Sequence, residues 1–285
     1  LLSIVIVNWN TRELLRACLA SLQRFPPPGE HEIVVVDNAS SDGSAAMVAT
    51  EFPAIKLIDS SVNHGYAEGN NLGFGASSGS FVVTLNPDTE ANETTFQRPL
   101  EILLENPRVG CVGIKQIGVD GNIQASVRGF PSFFGIVGDV LRIRSGKFDS
   151  YRLSRFDYTK EQDAPQPMGT FLIFRRDALA EIGDPAQPFD LRFPIFFNEV
   201  DLLYRLKKAG FRCVYTPLAS ILHYGGESTK QIRPKMIWES HRSLLRFFTK
   251  HATTGVQKAA ILLLTPIVYG AAFVRARGYS AGFRT

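Results

Sequence analysis

The chain has 285 residues, 45% hydrophobic and 20% charged, which is enough to bury a sizeable core and excludes disorder over most of its length. Cys18, Cys111 and Cys213 are widely spaced with no Cys-x-x-Cys pair, so neither a disulfide framework nor a cysteine zinc site is indicated, and a reducing, cytoplasmic setting fits best. The formal charge of +4 is uneven: residues 231–285 hold nine Lys/Arg against Glu239 alone, and the remainder holds 22 bases against 26 acids, so an anionic partner at one end or a solvated helical face is expected.

The opening apolar run, residues 1–7, is too short for a signal-peptide core and reads as a first buried strand. Runs at 32–37, 55–59 and 81–85 also end at polar or turn residues, as strands buried on both faces do. Helical patterns lie between them. Asn10, with Glu13 three residues on, makes a capping-box arrangement ahead of Leu14, Leu15, Cys18, Leu19 and Leu22. A second helix is expected to begin near Ser41 and Asp42, and a third to cover 66–77. The alternation predicts a parallel α/β sheet with right-handed crossovers, whose ligands gather at the carboxyl ends of the strands.

Residues 116–166 mix Gly, Pro, Arg and Phe without a clear period and are expected to form irregular loops beside the core, a sensible place for acceptor selectivity. A strand at 170–174, a helix near 177–182 and an acidic helix ending at Gly210 follow, then a strand at 211–215 stopped by Pro217 and a second apolar piece at 219–222. After Lys258 come sixteen uncharged residues, 259–274, containing Pro266 and Gly270 and followed by Arg275 and Arg277. This is short for a spanning helix, and an interfacial helix, basic at its edges, is the preferred reading. A docked core helix, a dimer contact and a marginal transmembrane segment are the alternatives.

The chemistry-bearing residues fall at strand ends. Asn8, Trp9 and Asn10 follow the first strand, and Asp37 and Asn38 end the second, where a carboxylate can accept hydrogen bonds from a base imide or a ribose hydroxyl. Ser41 and Asp42 read as helix caps. In the segment 63–73 (NHGYAEGNNLG), small residues recur at a helix start, where glycine allows close backbone approach and the N-terminus favours a diphosphate. No Gly-x-Gly-x-x-Gly or Walker pattern is present, which sets nicotinamide-dependent and P-loop functions aside. In Asn86-Pro87-Asp88 the proline fixes the turn, while Asp88, with weaker help from Asn86, can offer oxygen to a hard divalent cation. Alone such a turn is more often structural, and it gains weight only in combination with His223. His223, beside glycines, could complete the coordination with a neutral imidazole. Glu199 and Asp201 sit inside the aromatic run FPIFFNEVDLLYR, where an acid needs a partner or a task. Two apart on a helix, they point in different directions. One can face the cleft as a general base while the other anchors the helix or pairs with Arg205.

Taken together, VIVNWN, VVVDNASSDGS, NHGYAEGNNLG, LNPDT, PMGTFLIFRRDAL, FFNEVDLLYRLKKAG and ILHYGGEST resemble, in order and spacing, the family 2 glycosyltransferases, in particular the bacterial rhamnosyltransferase-like branch. The resemblance implies a GT-A fold: an α/β architecture with a mixed, mainly parallel central sheet flanked by helices and a C-terminal helical extension. It also implies an inverting transfer from a nucleotide-diphospho-sugar and a divalent metal, Mg2+ or Mn2+. The catalytic domain is expected over 1–230 and a basic, apolar helical extension over 231–285. By position, Asp37 matches the nucleotide-contacting acid, Asp88 the metal-binding end of Asp-x-Asp, His223 the distal histidine near metal and diphosphate, and Glu199 the usual base, with Asp201 as its rival. The expected donor contacts are Asn8, Asn10, Asp37, Asn38, Asn63, Gly65, Asn70, Asn86 and Gly169, and the expected metal ligands are Asp88 and His223. Asn198 stands where the family has the first acid of its Glu-Asp pair, and Asn86 where it has the first Asp of Asp-x-Asp. The branch points to dTDP-rhamnose as donor. The expected acceptor is a glycan or a polyprenyl-diphosphate-linked glycan of cell-surface polysaccharide synthesis, met at the inner face of the cell membrane, with no nucleic acid partner. A catalytically degenerate carbohydrate-binding module and a sugar nucleotidyltransferase are the rival readings; the latter would carry a Gly-rich basic loop where Asn8-Trp9-Asn10-Thr11 stands.

Overall fold

The computed structural model describes residues 1–140, 143, 145–225 and 233–280. The first half alternates strand and helix: β1 (Leu2–Asn8), α1 (Arg12–Arg24), β2 (His31–Asn38), α2 (Ser44–Glu51), β3 (Lys56–Ser60), α3 (Gly65–Gly75), β4 (Phe81–Leu85), β5 (Thr89–Ala91) and α4 (Gln97–Glu105). β1 is buried along its whole length because it pairs in parallel with β2 on one side and β4 on the other, while helices cover both faces. Its Ile4 and Ile6 join the core under α1 and α2, and Val5 joins the core under α3.

The second half closes the sheet differently. It comprises β6 (Val109–Ile117), β7 (Val127–Arg128), α5 (Phe133–Val140), β8 (Gln162–Asp163), β9 (Gln166–Pro167), β10 (Phe171–Arg175), α6 (Arg176–Ala180), α7 (Asn198–Lys208), β11 (Arg212–His223), α8 (Arg233–His251) and α9 (Gly255–Ser280). β10 runs antiparallel between β4 and β6, and the sheet order is β3-β2-β1-β4-β10-β6-β11-β5. The sheet is therefore mixed and mainly parallel rather than wholly parallel.

Three local expectations are corrected. Asn10 is not the cap of α1: it is left-handed at φ 51°, and α1 begins after Thr11. The Arg12 amide instead donates to Asp42 Oδ2 at 2.8 Å, and Asp42 Oδ1 accepts from the Ser44 amide at 3.0 Å, so one carboxylate caps two helices. Pro217 does not end a strand, because the register slips between Thr216 and Ser220, and a bulge asks no donor of a proline. The segment 116–166 is less irregular than its composition implies. It carries β7, α5, β8 and β9 around a small core of Val127, Ala164 and Tyr215.

The C-terminal helices pack on each other. Leu264, Val268, Ala272 and Ala276 form a buried stripe of α9, four residues apart, whereas Val256, Leu262, Leu263, Ile267, Phe273 and Val274 stay exposed. The expected domain boundary at residues 230–231 lies outside the described residues, as do Gly226 to Thr229 of the His223 motif.

The approach of α3 to β1 is set by glycine. A Cβ on Gly73 would lie 2.2 Å from Val5 Cγ1, and one on Gly69 would lie 2.7 Å from Val7 Cγ1, so any side chain there pushes helix and strand apart. Gly73→Ala is expected to destabilise the fold by about 1–3 kcal/mol in urea unfolding. Gly75→Ala, whose Cβ would meet nothing nearer than 3.8 Å, should leave the midpoint within error. Equal effects at the two positions would remove the close-approach argument.

Candidate active site

The parallel register pairs Asn8 with Asp37 at the carboxyl ends of β1 and β2. Asn8 Nδ2 donates to Asp37 Oδ2 at 2.9 Å, the Ser40 amide donates to Asp37 Oδ1 at 2.8 Å, and the Thr11 hydroxyl donates to Asn8 Oδ1 at 2.6 Å. The carboxylate is thus held in one orientation with lone pairs to spare. Asn10 contributes indirectly: its Oδ1 accepts from the Ser41 amide at 2.8 Å and ties the two strand-end loops together.

The start of α3 forms the next wall. Gly65 is left-handed at φ 81°, and its Cβ would lie 3.0 Å from the Pro194 carbonyl, so glycine is required there on both counts. Asn63 Oδ1 accepts from the Gly65 amide at 2.9 Å, Asn38 Nδ2 donates to the Gly65 carbonyl at 3.0 Å, and Asn70 Nδ2 donates to the Tyr66 carbonyl at 2.8 Å. Among the described residues, Asn38 Oδ1 and Asn70 Oδ1 are buried acceptors with no donor, a costly arrangement for a folded protein to retain.

Tyr66, absent from the residues picked out by sequence, stands at the centre. Its hydroxyl lies 3.1 Å from Asn86 Oδ1 and 3.4 Å from the Gly169 carbonyl, joining α3, the Asn-Pro-Asp turn and the approach to β10. Burial first, and then the charge of Glu199, raise the phenol well above its usual range, so it remains a neutral donor. The signal was present in the sequence: the Gly65-Tyr66 pair opening a helix whose glycines face a strand.

Glu199 faces this centre. Its side chain lies in van der Waals range of Gly169, with Cγ 3.5 Å from where a Cβ would stand, so a larger residue there would crowd the carboxylate. Desolvation pushes the Glu199 carboxyl up to about 7, against the opposing pull of the Glu199 and Val200 backbone amides at the helix start. The preceding Phe197 is left-handed at φ 66°, a strained conformation for a residue with a side chain; its ring packs on Phe247. Asn198 is buried, donates to the Ile195 carbonyl at 2.6 Å and accepts from the Glu199 amide at 2.6 Å. An ionised Asp could not make the first of these bonds, so the amide at this position stabilises the turn that presents Glu199.

Asp201 is not in the cleft. It is fully buried and meets Lys250 Nζ at 2.6 Å, His251 Nε2 at 2.8 Å and Arg205 Nε at 2.9 Å. Burial acts to raise its pKa, but His251, Lys250 and Arg205 outweigh it and hold the carboxyl below the ordinary carboxylate range. Asp201 thus joins α8 to α7 through a buried ion cluster, the anchoring alternative open to one of the two acids.

Asp88 and His223 meet through the antiparallel pairing of β5 with β11, which sets Thr89 against His223. Both are nearly buried, and His223 Nε2 lies 3.7 Å from Asp88 Oδ2. Gln124 grips the imidazole, with Oε1 2.7 Å from His223 Nδ1 and Nε2 donating to the His223 carbonyl at 3.1 Å. A carboxylate oxygen beside an imidazole nitrogen whose other nitrogen is hydrogen-bonded to an amide oxygen fits a divalent cation. Among the described residues no group of three His, Cys, Asp or Glu side chains could hold a metal. A two-residue donor set fits a cation whose remaining ligands are phosphate oxygens and water.

A cleft of about 730 Å3 opens from Trp9, Asn63, His64 and Ile195 to α8, which contributes Lys235, Trp238 and Arg242. The contribution of α8 is invisible in a linear reading, because it depends on the Asp201 cluster.

The family model for Glycosyl transferase family 2 matches residues 3–183. Among curated proteins, the N-acetylglucosaminyl-diphospho-decaprenol L-rhamnosyltransferase of Mycobacterium tuberculosis is 27% identical over 262 residues, 86% of this chain and 83% of that protein. The low-salt glycan biosynthesis hexosyltransferase Agl10 of Haloferax volcanii is 25% identical, over 78% of this chain and 66% of that protein. Among solved structures, the mannosyltransferase PcManGT from Pyrobaculum calidifontis, in complex with GDP-Man and Mn2+, covers 100% of this chain and 76% of its own at a TM-score of 0.60 and 18% identity. S. aureus TarS 1-349 covers 89% of this chain and 73% of its own at a TM-score of 0.55 and 17% identity. These likenesses show the GT-A fold.

The raised pKa of Glu199 has a sign that stability measurements can read. Between the unfolded carboxyl value of about 4.3 and the folded value of about 7, the folded state holds a proton that the unfolded state has released, so wild-type stability falls as pH rises through this window. Gln does not titrate. Glu199→Gln should therefore gain on the wild type by about 1–2 kcal/mol between pH 5 and pH 8 in chemical denaturation, allowing for partial solvent screening. A pH-independent difference would refute the burial of this carboxyl.

Proposed function

The chain belongs to glycosyl transferase family 2, and from that premise we propose that it performs an inverting transfer of rhamnose from dTDP-rhamnose to a hydroxyl of a lipid-linked glycan at the cytoplasmic face of the membrane. The observation that carries the reaction type is Glu199: an acid beside Gly169 and close enough to Tyr66 to act on its charge, raised by burial to about 7. A base whose pKa lies near the working pH combines availability with proton affinity. The lipid-linked acceptor and the rhamnosyl donor are supported by the Mycobacterium tuberculosis relative, whose name states both the sugar and the diphospho-decaprenol.

In the proposed step Glu199 takes the proton of the acceptor hydroxyl as its oxygen attacks the anomeric carbon, and the bond to the nucleoside diphosphate breaks on the opposite face. The anomeric configuration inverts and no covalent intermediate forms. Tyr66, kept as a neutral hydroxyl, holds Asn86 and the Gly169 carbonyl in place, so the floor of the site does not shift as charge moves. Asp37, oriented by Asn8 and Ser40, takes the base and ribose side of the donor. Asn38 and Asn70 offer buried acceptor oxygens to the wall beside it. Asp88 and His223 would hold a divalent cation, Mg2+ or Mn2+, which when bound supplies positive charge to the departing diphosphate. The Mn2+ in the Pyrobaculum calidifontis structure supports that reading.

Glu199→Gln should lower transfer by at least about a hundredfold while donor binding, read by thermal shift, is retained, and the acid limb of wild-type kcat/KM should titrate near pH 7. A nearly fully active Glu199→Gln enzyme would discard Glu199 as the base. Asp88→Asn should remove the Mn2+-dependent part of the donor thermal shift and leave the fold intact; an unchanged shift would move the cation elsewhere.

We also propose peripheral membrane contact through α9, the one helix among the described residues long and apolar enough to cross a membrane by length and composition. Its open apolar residues and the flanking Lys258, Arg275 and Arg277 suit the interface of an anionic bilayer. Removing residues from Val256 onward should abolish partition to anionic vesicles; undiminished partition would count against the contact.

A further inference from the structure

A groove of about 600 Å3 runs between α5, α8 and α9 and is separate from the cleft that meets Trp9 and Asn63. Its volume lies in the range of pockets that enclose a small ligand. Two features of its lining decide what it suits. Ile136, Leu244, Leu263 and Ile267 make most of it apolar, whereas Arg275, close enough to His241 to act on its charge, makes one end cationic. Phe197 also lines it, two residues before Glu199 on the same strained turn into α7. One groove therefore offers a cation, an apolar channel and a wall shared with the turn that presents the base.

Resting on the lipid-linked-acceptor reading above, we propose that this groove holds the polyisoprenoid chain of the acceptor, with Arg275 complementing its diphosphate. The charge pattern is what selects this occupant. A diphosphate carried on a hydrocarbon chain presents compact negative charge next to a long apolar surface, and the groove presents the complement in the same order. Phe197, two residues before Glu199, is the lining residue of this groove nearest in sequence to the proposed base. The unfilled apolar face of α9 then has a second use beyond bilayer contact: it draws the chain out of the membrane along a protein-lined path.

The test compares two acceptors with one N-acetylglucosaminyl-diphosphate head group, carried on a decaprenyl chain or on a two-isoprene chain, in detergent with the full chain. The wild type should show a KM at least about tenfold lower for the decaprenyl acceptor. Ala271→Trp, which fills the groove, should raise the decaprenyl KM to the short-chain value while leaving kcat and the short-chain KM unchanged. Leu263→Gln, at an exposed position, should do the same in part and guards against misfolding of the bulkier variant. Equal KM values for the two chains in the wild type, or a chain-length preference that survives both substitutions, would overturn the groove assignment with the lipid-linked reading intact. Transfer to a water-soluble glycan but to neither diphospho-lipid would overturn the acceptor reading itself. A dimer by sedimentation that Ala271→Trp dissociates would reassign the groove to a second copy of the chain and overturn the proposal.

Discussion

The close contact of α3 with β1 is the constraint on which the site depends. Gly69 and Gly73 leave no room for a Cβ against Val7 and Val5, and this proximity places Gly65 and Tyr66 directly over the strand ends. From there the rest follows by hydrogen bonds. Gly65 is bound by Asn38 and Asn63, and Tyr66 reaches Asn86 on the turn after β4 and the Gly169 carbonyl before β10. Because Gly169 also borders Glu199, a helix packed by glycine on a central strand sets the position of the acid across the cleft. Interiors this dense transmit displacement instead of absorbing it.

The two acids of α7 show how environment separates residues that sequence treats alike. Among the described residues Glu199 meets no cation, and burial raises it to a weak acid that can accept a proton near neutrality. Asp201, one turn-fraction further on, is surrounded by Lys250, His251 and Arg205 and stays ionised. Breaking such a buried cluster by removing one partner leaves uncompensated charge, so the cluster resists local opening of α8 from α7. Lys250 also meets Asp190 at 2.7 Å, which extends the same fastening to the loop before α7. The helix held in this way carries Lys235, Trp238 and Arg242 to the rim of the cleft. Structural charge and reactive charge are therefore neighbours with opposite requirements.

The departures from the family pattern have local explanations. Asn86 accepts the Tyr66 hydroxyl, a role its amide oxygen fills without adding negative charge beside Asp88 and Glu199. Asn198 both donates and accepts at the strained turn of Phe197, which a carboxylate could not do. With Asn at 86 and 198, the site carries two fewer carboxylates than acids at both positions would give.

Much of the fold was legible in the chain. Mostly apolar runs such as residues 2–7 and 81–85 suit strands buried on both faces, and Asp37, Asp88 and His223 stood out because polar residues at the ends of such runs need a task. Periodicity carries this information because it is local. Three things were not legible. Asp42 displaced Asn10 as the cap of α1 because the contact spans thirty residues of sequence. β11 passed through Pro217 because the neighbouring strand permitted a bulge there. Which of the two acids is buried in an ion cluster depended on α8 folding back to deliver Lys250 and His251 to Asp201. The sequence alone thus determined which residues could do chemistry and where the strands would end; the tertiary structure decided which of those residues face one another, because pKa, close approach and ion pairing are properties of neighbours brought together from distant parts of the chain.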